Sequence, residues 1–468
     1  MKSLPKGWVK TTLDQIAIWG AGGTPKRSES KYYGGDIPWV KTGDLGPKYL
    51  KESSEYITQL GVDNSSAKLF KKGSVAIAMY GATIGKTSIL DFDATTNQAC
   101  AVGQPIPDLT STEFLYLLLN NEKQNFIDKG KGGAQPNISQ QIIKSHEIAL
   151  PPLPEQRRIV AKLDEVLAQV DTIKARLDGI PAILKRFRQS VLAAAVSGKL
   201  TEEWRGSAKY QEKDGIRIPD DWEVKEAQNV CSKVQSGSTP KNDPFNQGGT
   251  VPFLKVYNIV NQKIDFDYKP QFVTVDTHQD KLKRSIAYPG DVLMNIVGPP
   301  LGKVAVLTDQ YPEWNLNQAI TLFRAENELL DQKYLYFVLC EGALVRAVMP
   351  ETKGSVGQIN ISLTQCRESM IPLPSLSEQK EIVRLVDQYF TFADTIAAQV
   401  KKAQARVDNL TQSILAKAFR GELVPQDPDD EPAEELLKRI ATARKEAEAL
   451  AKAAKKAVKA PRKAAVKE

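Results

Sequence analysis

Several stretches of this chain carry residue types that do chemistry in other settings. In Gly81-Ala-Thr-Ile-Gly-Lys-Thr87 two glycines precede a Lys-Thr pair, the order that wraps nucleotide phosphates in backbone amides. Wrapping needs four residues between the glycines, and here there are three. The related run Gly298-Pro-Pro-Leu-Gly-Lys-Val304 puts Val304 where a hydroxyl would hold Mg²⁺, so both read as glycine-rich turns. Asn242-Asp-Pro-Phe245 lacks the first proline of the Asn-Pro-Pro-Tyr/Phe loop that closes over a flipped base. Gly20-Ala-Gly-Gly23 lacks the third glycine of a dinucleotide fingerprint. His146 and His278 stand apart without clustered partners, and Cys100, Cys231, Cys340 and Cys366 show no Cys-x-x-Cys spacing. That pattern favours neither a metal centre, nor a disulfide framework, nor histidine-based catalysis. The sequence therefore offers no catalytic constellation, no cofactor site and no metal site.

Composition sets the wider bounds. A chain of 468 residues suits about three ordinary domains, and 41% apolar with 25% charged residues is globular. The N-terminal MKSLPKGWVK has no signal-peptide core, and no apolar run is long enough to span a bilayer. Together with scattered free cysteines this predicts a soluble protein in a reducing, cytoplasmic setting. The formal charge of +7 is mild, and much of it falls after position 432, where 11 Lys/Arg face 5 Glu. Such a balance is by itself a weak signal for nucleic acid.

What positions the polar side chains is a duplication. Leu153-Pro-Glu-Gln-Arg-Arg-Ile-Val160 returns as Leu376-Ser-Glu-Gln-Lys-Glu-Ile-Val383, and Ser190 to Leu200 returns as Ser413 to Leu423 at the same separation. Leu4 to Val9 answers Ile218 to Trp222, Gly23-Thr-Pro-Lys26 answers Ser238-Thr-Pro-Lys241, and Ile37 to Lys41 answers Val251 to Lys255. Further on, Gly81 to Lys86 answers Gly298 to Lys303, Asn97-Gln-Ala99 answers Asn317-Gln-Ala319, and Asn137-Ile-Ser139 answers Asn360-Ile-Ser362. The separation between these counterparts widens along the domain, so length changes lie in the loops between shared motifs. Two like scaffolds carry unlike loops, least similar at 45–72 and 259–289.

Strand-like runs (Ser74 to Met79, Val292 to Val297) give way after each domain to helical heptads. The first seam is Ile159, Leu163, Val166, Val170, Ile173, Leu177, Ile180, Leu184, Phe187 and Val191. The second, in register, is Ile382, Val386, Tyr389, Ala393, Ile396, Val400, Ala403, Val407, Leu410 and Ile414. An apolar stripe needs cover, and the matching stripe lies in the same chain, so the two helices are expected to pair. An internal two-fold would run them antiparallel, each ~65 Å long at ~1.5 Å per residue, with a domain at either end. Pro181 predicts a kink or break near Asp178-Gly179.

These readings divide the chain into a first domain (1–152), a first spacer helix (153–200), a linker (201–217), a second domain (218–375), a second spacer helix (376–423), an acidic linker (424–432) and a basic C-terminal helix or tail (433–468). In the last, Leu436, Leu437, Ile440 and Leu450 could dock on a partner, or the segment could be a solvated Ala/Lys tail. The expected fold class is α+β: two similar mixed α/β domains separated by a long antiparallel two-helix coiled coil, with an internal pseudo-two-fold.

With the repeat, the heptads and the Pro-Leu-Pro-Glu-Gln junction at 152–156 in view, the chain resembles the specificity subunits of type I restriction-modification systems. The resemblance covers essentially the whole chain. Its most telling parts are Gly34 to Asp44, Gly133-Ala-Gln-Pro-Asn-Ile-Ser139, Leu153 to Val160 and Ser197 to Trp204, taken in order and doubled. It implies a non-catalytic subunit with two target-recognition domains, each reading one half of an asymmetric bipartite sequence in double-stranded DNA. It also implies two methyltransferase subunits, which bind S-adenosylmethionine, and two restriction/translocase subunits, which use ATP and Mg²⁺.

Reading DNA takes paired donors and acceptors on base edges, with Lys and Arg on phosphates setting the register. On that basis the first domain's candidates are Lys26, Arg27, Lys31, Tyr32, Lys41, Thr42, Tyr80, Lys86, Gln135 and Asn137. The second domain's are Lys241, Asn242, Lys255, Tyr257, Asn258, Asn295, Lys303, Gln358 and Asn360. Residues shared by the copies (Lys41/Lys255, Lys86/Lys303, Asn137/Asn360) fit backbone contact or folding, leaving discrimination to the unlike loops. The rival reading is a coiled-coil scaffold with two protein-recognition modules and no DNA.

Overall fold

Val75–Ala78 and Val292–Asn295, the continuous apolar runs of the two copies, are strands with every residue buried. Such runs can only sit inside a sheet covered on both faces. The computed structural model describes residues 4–130, 137–240, 248–349, 360–443 and 445–446. It divides into two units, Met1–Leu177 with Ala403–Glu468, and Asp178–Lys402. Each unit thus holds the N-terminal part of one long helix and the C-terminal part of the other, rather than one of about three free-standing domains.

In the first unit a five-stranded sheet runs in the order Ala17–Ala21, Cys100–Pro105, Val75–Ala78, Thr87–Leu90, Tyr49–Leu50. A smaller sheet pairs Tyr33–Val40 antiparallel with Tyr56–Ile57 and parallel with Thr95–Thr96. The second unit repeats the plan. Its four-stranded sheet runs Cys231–Ser236, Ile320–Ala325, Val292–Asn295, Val304–Val306, and Val251–Leu254 pairs with Phe272–Val273 and Asn315–Leu316. Val9–Thr12 pairs with Glu147–Leu150, and Glu223–Glu226 with Met370–Leu373, which closes each unit just before its long helix starts.

The shared motifs turn out to be joints. In Asn137-Ile-Ser139 and Asn360-Ile-Ser362 the isoleucine is buried and the serine caps a short helix, Ser139 accepting from Ile142 N and Ser362 from Gln365 N. In the two Glu-Gln motifs, Gln156 donates to Leu109 O and Pro151 O, and Gln379 to Leu329 O and Pro374 O. Glu155 accepts from Trp8 Nε1 at 3.0 Å and Glu378 from Trp222 Nε1 at 2.9 Å. Each motif therefore fastens a long helix to the domain before it.

The far end of each helix is fastened differently. Gly198, after the first helix, lies against the Pro219 ring, and Gly421, after the second, against the Pro5 ring. In the second unit Arg205 Nη1 and Thr201 Oγ1 reach Glu378 at 2.6 and 2.7 Å, with both side chains of the ion pair almost fully buried. In the first unit Gln426, at 3.3 Å, takes that place on Glu155.

The long helices are Leu153–Val196 and Leu376–Ala418. Within the first unit Lys174 pairs with Asp408 and Arg158 with Asp430, so partner numbers rise as the first helix is followed backwards. Within the second, Arg188 pairs with Asp394 and Arg205 with Glu378. Both units have antiparallel helices, as an internal two-fold requires. Ile159, Leu163, Val170, Leu184, Val191, Ile382, Val386, Ala393, Val400 and Ile414 are buried, and Val166, Leu177, Ile180, Phe187, Ile396, Ala403 and Val407 are half-buried. Ile173, Tyr389 and Leu410 depart from the seam, being at least 40% exposed, because a pair of lone helices can cover only a narrow strip of each.

Three expectations are corrected. Of the kink or break expected at Pro181, the break is overturned: the first helix runs unbroken with Pro181 inside it. The supposed linker 201–217 contains the helical turn Glu202–Arg205 and strands Tyr210–Lys213 and Ile216–Pro219, a hairpin whose apolar Ile216 and Ile218 pack on the second unit's core. The acidic 424–432 segment and the helix from 433 to 443 lie on the first unit. Ala433 N donates to Gly7 O, Leu436 is buried, and Leu437 and Ile440 pack beside it, so these side chains cover their own chain; Leu450 lies outside the described residues.

Candidate nucleic-acid interface

Lys26 and Lys31 are exposed, and Lys31 Nζ stands over the half-buried Tyr32 ring and 3.7 Å from Glu29. Arg27 and Lys41 meet at one carboxylate, Glu55, at 2.9 and 3.3 Å. The Arg27 hydrogen bond holds the Glu55 carboxyl below its ordinary value, aided by Lys41 and opposed by desolvation. Thr42 is half-buried in the turn after this strand, where Lys41 N donates to Asp44 Oδ2. Tyr80 is exposed and bridges the exposed Asn137 through backbone. Lys86 is exposed at the end of the 81–86 turn, which leads into the antiparallel strand Thr87–Leu90. A nucleotide loop opens a helix, so this turn is a hairpin connection.

In the second unit Lys303 is half-buried with Nζ 3.4 Å from Val256 O, beside Lys255 and Tyr257. Tyr257 donates to Lys269 O and packs edge-on against Tyr268, and burial pushes its hydroxyl pKa up. Asn360 is exposed. Asn258 and Asn295 are corrections: both are fully buried. Asn258 donates to Asp265 O and Tyr268 O, while Asn295 donates to Val297 O and Pro300 O and accepts from Lys303 N. Their amides hold turns and present nothing to a base. Gln135, Lys241, Asn242 and Gln358 lie outside the described residues.

Sequence reasoning missed Glu55, Tyr33 and Trp39. The only pointer to Glu55 was its place in the least-shared stretch. The histidines have ordinary partners: His146 bonds Glu122 and Lys129, and His278 bonds Glu313 and Asn315. Among the described residues no group of three His, Cys, Asp or Glu could hold a metal ion, and no helix is long and apolar enough to cross a membrane. Burial pushes the Cys100, Cys231 and Cys340 thiols up to about 12 and Cys366 to about 11. None is poised as a nucleophile.

Matched scaffolds with unmatched polar loops find their parallel among known proteins. Residues 5–182 and 219–404 match the type I restriction modification DNA specificity domain, once in each copy. The chain belongs to that family. It is 31% identical over 435 residues to the EcoKI specificity subunit of Escherichia coli K12, covering 90% of each chain. It is 37% identical over 296 residues to the EcoBI specificity subunit of Escherichia coli, covering 62% of this chain and 61% of that subunit. A solved chain from a study of complex assembly and conformational transition in the type I R-M system has the same fold, with TM-score 0.66 and 21% identity over 90% of this chain and all of that one. Type I specificity subunits recognise the DNA target and are non-catalytic, directing methyltransferase and restriction subunits. None of these relatives supports the protein-only scaffold.

Proposed function

We propose that each unit of this type I specificity subunit reads one half of an asymmetric bipartite DNA target, and that the paired helices fix the number of base pairs between the halves. The observation that carries the reading is the contrast between conserved joints and divergent loops. Both copies share the Trp-Glu, Gln-carbonyl and Ile-Ser fastenings, whereas the charged pair Arg27 and Glu55 is replaced in the second copy's sequence by Asn242 and Gln271. The polar set Lys26, Arg27, Lys31, Tyr32, Lys41, Thr42, Tyr80, Lys86 and Asn137, with Lys255, Tyr257, Lys303 and Asn360, supplies phosphate and base contacts in this reading; Gln135, Lys241, Asn242 and Gln358 extend it.

The helices also seat the partners: two methyltransferase subunits carrying S-adenosylmethionine, joined for cleavage by two restriction/translocase subunits using ATP and Mg²⁺. The complex works in the cytoplasm. No cofactor chemistry falls to this chain.

Four residues added to each long helix lengthen it by ~6 Å at ~1.5 Å per residue. At ~3.4 Å per base pair, the assembled complex is expected to prefer a target with roughly two more spacer base pairs. Methylation of duplexes differing only in spacer length measures this, and an unchanged preference would remove the ruler from the proposal. Methylome sequencing of cells expressing the complex tests the reading as a whole, with a two-part adenine-methylated motif as the expected result.

A further inference from the structure

We propose that Arg27 reads a guanine in the first half of the target and that Glu55 is the positioning residue that aims it. This rests on the DNA-reading function above and goes beyond it by naming the base and the device. Arg27 Nη2 donates to Glu55 Oε2 at 2.9 Å, while the guanidinium carbon lies 4.7 Å from the Tyr33 ring centre and 4.8 Å from that of Trp39. Those rings are themselves tethered to the loop that carries Arg27: Tyr33 Oη donates to Pro25 O at 2.5 Å and Trp39 Nε1 to Gly23 O at 2.9 Å. Loop, rings and carboxylate form one closed frame around the guanidinium, yet the side chain remains 55% exposed.

A guanidinium has five donors, and Glu55 accepts from one nitrogen of three, leaving donors free to face O6 and N7 of guanine, the geometry arginine matches bidentately. Fixing the side chain before binding removes an entropy cost that a loose phosphate contact carries in full. A bare carboxylate on such a face would repel phosphates. Here Lys41 on its other oxygen leaves the trio with one net positive charge.

The second copy's sequence has neither the arginine nor the glutamate of this device at the matching positions. Phe253 N donates to Gln271 O as Trp39 N does to Glu55 O, so Phe253 stands for Trp39 and the uncharged Gln271 for Glu55. In sequence, Asn242 follows the shared Thr-Pro-Lys where Arg27 does in the first copy. An element present in one reader alone suits discrimination rather than the backbone contact both must make.

The test uses the full chain assembled with its methyltransferase partners and a library of duplexes randomised across the target, the bound fraction being sequenced. The wild-type complex should require a G·C pair at one position of one half. Arg27→Ala should lower the preference at that position on the order of 10- to 100-fold, leaving every other position and the other half unchanged. Arg27→Lys, which keeps the charge and most of the stem but loses the planar fork held over the Tyr33 and Trp39 rings, should restore it only in part. Glu55→Gln should weaken the preference at the same base pair by a smaller factor. Equal loss on all sequences or no change in Arg27→Ala would overturn the assignment, and a Glu55→Gln preference equal to wild type would overturn the positioning role. A wild-type complex with no two-part preference would instead overturn the function on which the assignment rests.

Discussion

Glu378→Gln is expected to destabilise the second unit by about 3–5 kcal/mol, the cost of breaking a buried ion pair from one side. The Arg205 and Glu378 side chains are 4% and 2% exposed, so the substitution leaves the nearly buried guanidinium with only the more distant Asp221, at 3.8 Å, as counter-charge. It also weakens the joint where the second long helix starts, because Glu378 accepts from Trp222 and Thr201 as well. The same change at the equivalent position, Glu155→Gln, should cost no more than about 1 kcal/mol. Glu155 is fully buried, but its close partners are the neutral Trp8 and Gln426; a glutamine's oxygen can still accept from Trp8, and its amide nitrogen can donate to Gln426 once that amide turns over.

The pH response follows the same asymmetry. Burial pushes the Glu155 carboxyl above its ordinary 4.5, an effect that the Gln426 and Trp8 hydrogen bonds only partly offset. A raised acid binds more protons folded than unfolded, so its favourable contribution is complete below about pH 4.5 and is lost as pH rises through the raised value. Glu155→Gln should flatten that part of the first unit's stability profile. Denaturant titration of both variants between pH 4 and 8 decides the matter, and equal losses from the two substitutions would refute this account of the joints.

Gly198→Ala is expected to cost about 2–5 kcal/mol, combining left-handed backbone strain with overpacking. Gly198 has φ +74°, and a Cβ there would lie 2.3 Å from Pro219 Cγ, inside van der Waals contact. Gly421, with φ +73° and Pro5 Cγ 2.5 Å from a Cβ, should respond likewise. Gly206 supplies the control: its φ is +66° but nothing lies within 4 Å, so Gly206→Ala should show backbone strain alone, about 1–2 kcal/mol. Thermal unfolding of the three variants separates strain from collision, and a Gly198→Ala loss no larger than that of Gly206→Ala would deny the proline contact its weight.

Much of this architecture was legible because its signals are local or repeated. The strand at Val75–Ala78 is an apolar run, and the helices declare themselves by heptads. The 201–217 segment was misread because its polar composition drew attention from Asp214-Gly215, a two-residue turn with both φ positive that pairs Lys213 with Ile216 and Tyr210 with Pro219. Pro181 suggested a break, but the helix continues on both sides of it, so the heptad phase, which resumes after the proline, was the better guide. In the candidate interface, exposed lysines were easy to pick, whereas Asn258 and Asn295 look like base readers in sequence and are buried turn fasteners. Glu55 was invisible for the opposite reason: it reaches Arg27 through strand pairing, Pro38 opposite Tyr56, and nothing near Arg27 in sequence announces it.

The contacts of Gly198 and Gly421 with Pro219 and Pro5 carry one more implication. In the second unit, a helix end meets the start of the next domain through continuous chain. In the first, an equivalent meeting is made without a covalent link, by Gly421 on Pro5 and by Ala433 N on Gly7 O. The two seams are thus alike in their contacts, one crossed by chain and the other bridged without it. Circular permutation, splicing the first seam and opening the exposed turn near Gly206, would leave every fastening described above in place. Such a permutant is expected to unfold at the same denaturant midpoint as the parent chain, and a large drop would deny the two seams their equivalence.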